Sequence, residues 1–319
     1  MGVRALTVGG TAAVAAVGGA VYWLLGESAP PEPTLPGRLE RHRTVLDGRE
    51  RTWTTYVPDG LRGPAPLLLV LHGSGDDGAA VRRQTGYAFD RLADRHGFVV
   101  AYPDGYRGNW NEPRIGGRFA AKELGLSDVD LLRDVATSSD EVDPRRVYAT
   151  GFSSGGQMAL RLALEAPDLV AAIAPVAANV PTTANLAATD LGMPVPALFV
   201  TGTADPMNPY GGGEVRLYGT RRRGRVRPAL EGARWFAERN GITGDAAVER
   251  ISDRGSDGAW VESHHWAGSE PVRLLSVHGG GHHYPAVGVR GRRLLGPSPQ
   301  LLDTPARVWE FVSAHRRPE

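Results

Sequence analysis

At 319 residues, 41% hydrophobic and 22% charged, the chain is long enough for one large domain or two small ones and apolar enough to bury a sizeable core. A formal net charge of +1 excludes a strongly basic or acidic protein, so composition makes no case for nucleic acid or for acidic partners. With no cysteine in the sequence, disulfides, thiolate nucleophiles and zinc–thiolate sites are excluded as well.

The first element in chain order is "LTVGGTAAVAAVGGAVYWLL", residues 6–25, which carries no charge and has about the length a helix needs to cross a bilayer. Arg4 precedes it and Tyr22-Trp23 sit near its far end, an arrangement that predicts export of everything that follows. Residues 1–28 therefore read as a signal peptide or a retained membrane anchor, the only expected contact with a membrane. Residues 29–38 contain "APPEPTLP", which cannot be helical and reads as a spacer before a folded domain at 39–319.

Within that domain "RTWTTYVP" (51–58) alternates like a half-buried strand, and "PLLLVLHG" (66–73) is a continuous apolar run suited to a strand buried on both faces. Residues 80–96 carry helical spacing and end at Gly97, and "FVVAYPDG" (98–105) is the next buried strand. A helix follows at 127–138, capped by Ser127, then the strand "RVYATG" and a helix over 154–165. Strands at 171–177, 196–202 and 272–279 and helices at 229–240 and 304–315 complete the reading. Strands alternating with helices predict an α/β domain with a mostly parallel central sheet covered by helices on both faces. The arginine-rich stretch 216–227, "RLYGTRRRGRVR", reads as a solvated loop.

Chemistry enters at "RVYATGFSSGG". Gly151-Phe152-Ser153-Ser154-Gly155 fits G-x-S-x-G, the sharp strand-to-helix turn that presents a nucleophilic serine. A serine hydroxyl needs a base to take its proton, and an imidazole base needs an orienting carboxylate. The order serine, acid, histidine is supplied by Ser153, by Asp205 in "TGTADP" and by His282 in "GGGHHYP", each just past a predicted strand, where ligands bind in open α/β sheets. Ser154 is an alternative nucleophile, but it falls one residue into the helix. His283 is an alternative base, although the three glycines before His282 let that backbone approach the turn more closely. The backbone N–H groups of Ser154 and Ser74 are the candidate donors to an oxyanion. Trp110 and His72 are the candidate substrate-side residues: an indole at 110 could pack on a sugar or an aromatic acyl group or else cover the core, and His72 is expected to brace the oxyanion loop.

The segments "LLLVLHGSGDD", "VVAYPDGYRGNWN", "RVYATGFSSGGQMALRLALEAPDLVAAIAPVAA", "VTGTADPMNPYGGG", "ARWFAERNG" and "GGGHHYP" occur in that order. Together they resemble the exported polyhydroxybutyrate depolymerase-like and feruloyl or acetylxylan esterase-like proteins, over residues 51–285. The resemblance implies an α/β-hydrolase fold without a cofactor, with Ser153, Asp205 and His282 as nucleophile, acid and base. It also implies as substrate an ester of a polyester oligomer or of an acylated polysaccharide. Members often carry cysteines near the positions of Ser74 and Ile242, which are not cysteine here. Three rivals remain in view. Gly73, Gly75 and Gly78 formally match the G-x-G-x-x-G dinucleotide fingerprint of an NAD(P)-dependent oxidoreductase, although Asp76 and Asp77 would repel a pyrophosphate. His264, His265, His278, His282 and His283 could be combined into a metal site but lack any standard spacing. A catalytically inactive surface-binding module is the third.

Overall fold

The structure is a computed structural model that describes residues 26–217, 219, 221–255 and 257–318. The expected export segment at 6–25 lies outside the described residues, and among the described residues no helix is long and apolar enough to cross a membrane.

The strands in chain order are β1 (Arg38–Leu46), β2 (Arg49–Val57), β3 (Ala65–Leu71), β4 (Val99–Pro103), β5 (Val142–Phe152), β6 (Ala172–Val176), β7 (Ala197–Gly202), β8 (Gly213–Leu217), β9 (Arg221–Val226), β10 (Ala247–Arg250), β11 (Trp260–Trp266) and β12 (Val272–His278). The helices are α1 (Gly78–Gln84), α2 (Ala88–His96), α3 (Ala120–Glu123), α4 (Asp128–Thr137), α5 (Ser154–Glu165), α6 (Ala229–Arg239) and α7 (Thr304–Val312). Ten strands form one sheet in the order β1-β2-β4-β3-β5-β6-β7-β12-β11-β10. From β4 to β12 the neighbours are parallel, and antiparallel pairs close both ends. This is the α/β-hydrolase architecture.

The continuous apolar runs follow from burial on both faces. In β3, Leu67, Leu69 and Leu71 face one core, shared with α4, α5 and α6, while Leu68 and Val70 face the other, shared with α1, α2 and α7. A period-2 strand with helices on each side has no polar face to display, hence "PLLLVL".

Several expectations need correction. The single helix expected over 80–96 is two helices, because Gly86 and Tyr87 take left-handed backbone (φ 64° and 57°) and turn the chain between them. Ser127 precedes α4, but its side chain does not cap the helix; its amide and hydroxyl instead donate to the Asp47 carboxylate. Residues 29–38 do not run clear of the domain as a spacer. Just ahead of them Ser28 exchanges two backbone hydrogen bonds with Arg290 (2.9 and 2.8 Å), Glu32 ion-pairs with Arg82, and Arg38 already opens β1. Prolines forbid a helix there but leave an extended chain free to lie on the surface. The arginine-rich stretch is a hairpin, β8 paired with β9, and not a solvated loop.

One buried ion pair holds the loop after β4. Arg51 on β2 donates to Asp128 at the start of α4 (2.6 Å), with side chains 1% and 0% exposed, and also reaches the Asp104 carbonyl. Burial pushes the Asp128 carboxyl up and Arg51 opposes that rise. Removing one partner strands a charge in the interior, whereas replacing both by apolar side chains removes the desolvation cost as well. Arg51→Met should therefore lower the free energy of urea unfolding by about 3–5 kcal/mol, and the double variant Arg51→Met/Asp128→Leu by clearly less; equal losses would contradict this account of the pair.

Candidate active site

Ser153 sits between β5 and α5 at φ 53°, ψ −112°, outside the regions comfortable for a residue with a side chain. Such a conformation costs about 1–3 kcal/mol and persists only where the surroundings impose it. Here the Ser153 amide is fixed to the Val176 carbonyl (2.8 Å), and its own carbonyl receives the Gln157 amide (3.0 Å). The crossing also needs a residue without a side chain at 155, where a Cβ would lie 2.2 Å from the Leu71 carbonyl oxygen. A serine at a helix start ordinarily turns its hydroxyl back onto the first-turn amides. Ser153 makes no such cap, so its Oγ is free to face outward.

That Oγ lies 3.0 Å from His282 Nε2, and His282 Nδ1 lies 2.7 Å from Asp205 Oδ2. The carboxylate can only accept, so Nδ1 carries the proton and Nε2 is left to accept from the serine. Asp205 is held in turn: its other oxygen, Oδ1, accepts from the amides of Met207 and Asn208, both at 2.8 Å. Phe152 lies beside the imidazole with ring centroids 4.9 Å apart. The three sequence-derived residues thus meet at the carboxyl ends of β5, β7 and β12.

The alternatives do not join this relay. Ser154 is buried with its hydroxyl left without a hydrogen-bond partner, and His283 bonds the Gly296 carbonyl (2.9 Å). His264 bonds Glu262, and His278 stacks on Trp260 with centroids 3.8 Å apart. Among the described residues no group of three or more His, Asp or Glu side chains is arranged to hold a metal ion. At the dinucleotide-like turn, Asp77 takes the Ala80 amide (2.7 Å) and Asp104 takes the Gly78 amide (2.9 Å). Two carboxylates thus stand at the helix start where a pyrophosphate would have to bind.

A cavity of about 280 Å³ opens over Ser153, lined by Ser74, Asp76, Met207, Leu217, Arg221, Arg223 and His282 among others. Glu27 and Arg292 form part of its rim, and burial pushes the Glu27 carboxyl up while Arg292 counters it. Trp110 does not line this cavity. It is 0% exposed, donates its indole N–H to the His72 carbonyl (2.9 Å) and packs on the His72 ring, so the substrate-contact expectation for it is overturned. His72 is likewise fully buried and does not line this cavity: Nδ1 donates to the Gly73 carbonyl (2.7 Å) and Nε2 accepts from the Gly105 amide (2.8 Å). It fastens the 73–76 loop to the loop after β4. The residue that sequence reasoning missed is Arg223, buried against the cavity; a run of arginines signals solvent, and nothing in it marks the one member that turns inward.

Comparison with known proteins places these features in context. A family model described as the Dienelactone hydrolase family matches residues 79–212. The provisionally named esterase NocK of Nocardia uniformis subsp. tsuyamanensis is 31% identical over 300 residues, covering 88% of this chain and 84% of that protein. Poly(3-hydroxyalkanoate) depolymerase C of Paucimonas lemoignei is 33% identical over 129 residues, 38% of this chain and 30% of that protein, so the chain matches under a third of the depolymerase. In fold, the acetyl xylan esterase from Aspergillus awamori aligns with a TM-score of 0.52 at 16% identity, over 77% of this chain and 95% of that one.

Burial holds the His72 imidazole below its usual range, with the Gly73 carbonyl bond opposing. The unfolded chain takes up a proton there near pH 6.5 while the folded chain does not, so stability is full above that pH and is lost as pH falls through it. Between about pH 6.5 and pH 5 the urea midpoint of the wild type should fall more steeply than that of His72→Asn. Parallel pH dependence of the two proteins would remove His72 from this account.

Proposed function

The chain belongs to the α/β-hydrolase esterase family of the polyhydroxybutyrate depolymerase-like and feruloyl or acetylxylan esterase-like proteins, and from that premise we propose that it is a serine carboxylesterase working through an acyl-enzyme. The observation that carries the reading is the continuous relay from Asp205 through His282 to the outward-facing hydroxyl of Ser153.

In this reading the Ser153 hydroxyl gives its proton to His282 Nε2 as Oγ attacks the ester carbonyl. Negative charge then gathers on the carbonyl oxygen. The Ser154 amide, first in α5 and without an intrahelical acceptor, is one donor to it. The loop 73–76 supplies the other. Its Gly75 and Asp76 amides already bond the Gly108 and Gly73 carbonyls, which leaves the role to Ser74, beside Ser153 on the cavity wall. His282 next protonates the leaving alkoxide, and the acyl group stays on Ser153. Water, deprotonated by His282, attacks that acyl group; the acid departs and the proton returns to the serine. Asp205 holds the imidazole and stabilises its charged form throughout.

The substrates named for the relatives suggest a hydroxyalkanoate oligomer or an acylated polysaccharide. A cavity of about 280 Å³ suits a short acyl group or a chain end. The uncharged stretch at 6–25 supports action outside the cytoplasm.

Ser153→Ala should lower kcat for 4-nitrophenyl butyrate by at least about 10⁴-fold and abolish fluorophosphonate labelling, with the melting temperature no lower than that of the wild type. Ser154→Ala should retain labelling. Greater damage from the second substitution would overturn the assignment of the nucleophile.

A further inference from the structure

The hairpin β8–β9 reaches the cavity with Arg223. The residue is only 6% exposed, its guanidinium lies over the Phe119 ring at 4.3 Å, and Nη2 lies 3.4 Å from Ser74 Oγ. Nη1 is buried without a hydrogen-bond partner. The placement is built into the fold. Asn185 donates to the carbonyls of Arg223 (3.1 Å) and Arg225 (3.0 Å) while accepting from the Gly116 amide (2.8 Å), which ties the hairpin to the opposite loop. Any side chain at Gly117, itself at φ +103°, would start 2.8 Å from Arg223 Cδ.

A buried guanidinium ordinarily has a carboxylate beside it. The nearby carboxylate is Glu112, and it is already shared by Arg114 (3.0 Å) and Lys122 (3.6 Å). Three cations therefore surround one anion. Burial and the neighbouring Arg114 lower the Arg223 pKa to about 10, which still leaves it charged at neutral pH. A recess of about 20 Å³ beside Ser153 is lined by Ser74, Arg114, Gln157, Asn208 and Arg223, and no carboxylate lines it. Asn208 Nδ2 and Gln157 Oε1 are, like Arg223 Nη1, buried without a partner. Asp76 and Glu27 line the main cavity but not this recess; Asp76 accepts from Gln84 (3.2 Å), and Glu27 faces Arg292 (3.8 Å).

We propose that Arg223 is a specificity-determining residue that binds a substrate carboxylate, so that the site prefers esters bearing a free acid group a few bonds from the reacting carbonyl, as at the acid end of a short hydroxyalkanoate oligomer. A carboxylate entering the cavity beside Ser153 supplies the missing countercharge to the guanidinium that lines its wall. A neutral end group leaves the guanidinium unpaired. Free acid ends are what an enzyme that breaks a polyester generates, so this site takes the products of such a reaction further toward monomer.

This inference rests on the esterase reading, and the test separates the two. The dimer of 3-hydroxybutyrate and its terminal carboxamide, which has the same shape without the charge, are compared by kcat/KM with chromatographic detection of monomer. The wild type should prefer the acid by about tenfold or more, the size expected of a hydrogen bond to a charged group. Arg223→Gln should bring the ratio close to one and Arg223→Lys should restore part of it; loss of fold would change both rates together and leave the ratio alone. A wild-type ratio near one, a preference that survives Arg223→Gln, or a protein that takes up fluorophosphonate yet cleaves neither dimer would each overturn the proposal. Failure of the wild type to take up fluorophosphonate would instead remove the esterase reading beneath it.

Discussion

The geometry of the candidate site depends on a serine held in a backbone conformation it would not choose. At Ser153 the chain leaves a central strand and enters a helix within one residue, and the helix start must pass close to the carbonyl of Leu71 for the turn to close. Two parallel strands, β3 and β6, clamp β5 from either side, so the strain is borne by the sheet rather than by the loop. The same conformation keeps the hydroxyl from capping its own helix and directs it toward His282. Structure and chemistry are here a single constraint, because relaxing the turn would return the hydroxyl to the helix amides.

Much of this was legible in the residues because parallel sheets impose a strong pattern. Six strands in succession from β4 to β12 are parallel and buried on both faces, so each reads as an apolar block ended by glycine or a polar turn. Parallel strands also deliver their carboxyl ends to one edge of the sheet, which is why Ser153, Asp205 and His282 could be grouped before any distance was known. The imidazole that faces the serine is the one that follows the three glycines. Its neighbour His283, one residue on, points to Gly296 instead.

What escaped sequence reasoning lacked a local signal. Strands β1, β10 and β11 lie at the sheet ends, where one side or face is wet and the apolar block is diluted. Trp110 was ambiguous because an indole satisfies a cavity wall and a core equally well. The deciding fact is a hydrogen bond to the carbonyl of His72, far away in the chain. The hairpin β8–β9 was hidden by its own arginines: in "RRRGRV" only residues 223 and 226 are buried, and charge masks the alternation. The break in the helix expected over 80–96 required positive φ at Tyr87, which the apolar spacing on either side gives no reason to expect.

The hairpin is joined to the rest of the domain largely through its main chain. Arg216 donates its amide to the Met207 carbonyl, Thr182 donates to the Arg225 carbonyl, and Arg227 donates to the Val180 carbonyl. Bonds of this kind survive exchange of almost any side chain at 221 or 223. The wall proposed to select what enters is thereby separable from the Asp205–His282–Ser153 relay proposed to cut it. If Arg223 selects the ester as proposed, a lineage carrying this scaffold can trade one ester for another by altering two positions on a collar, with Ser153, Asp205 and His282 inherited intact.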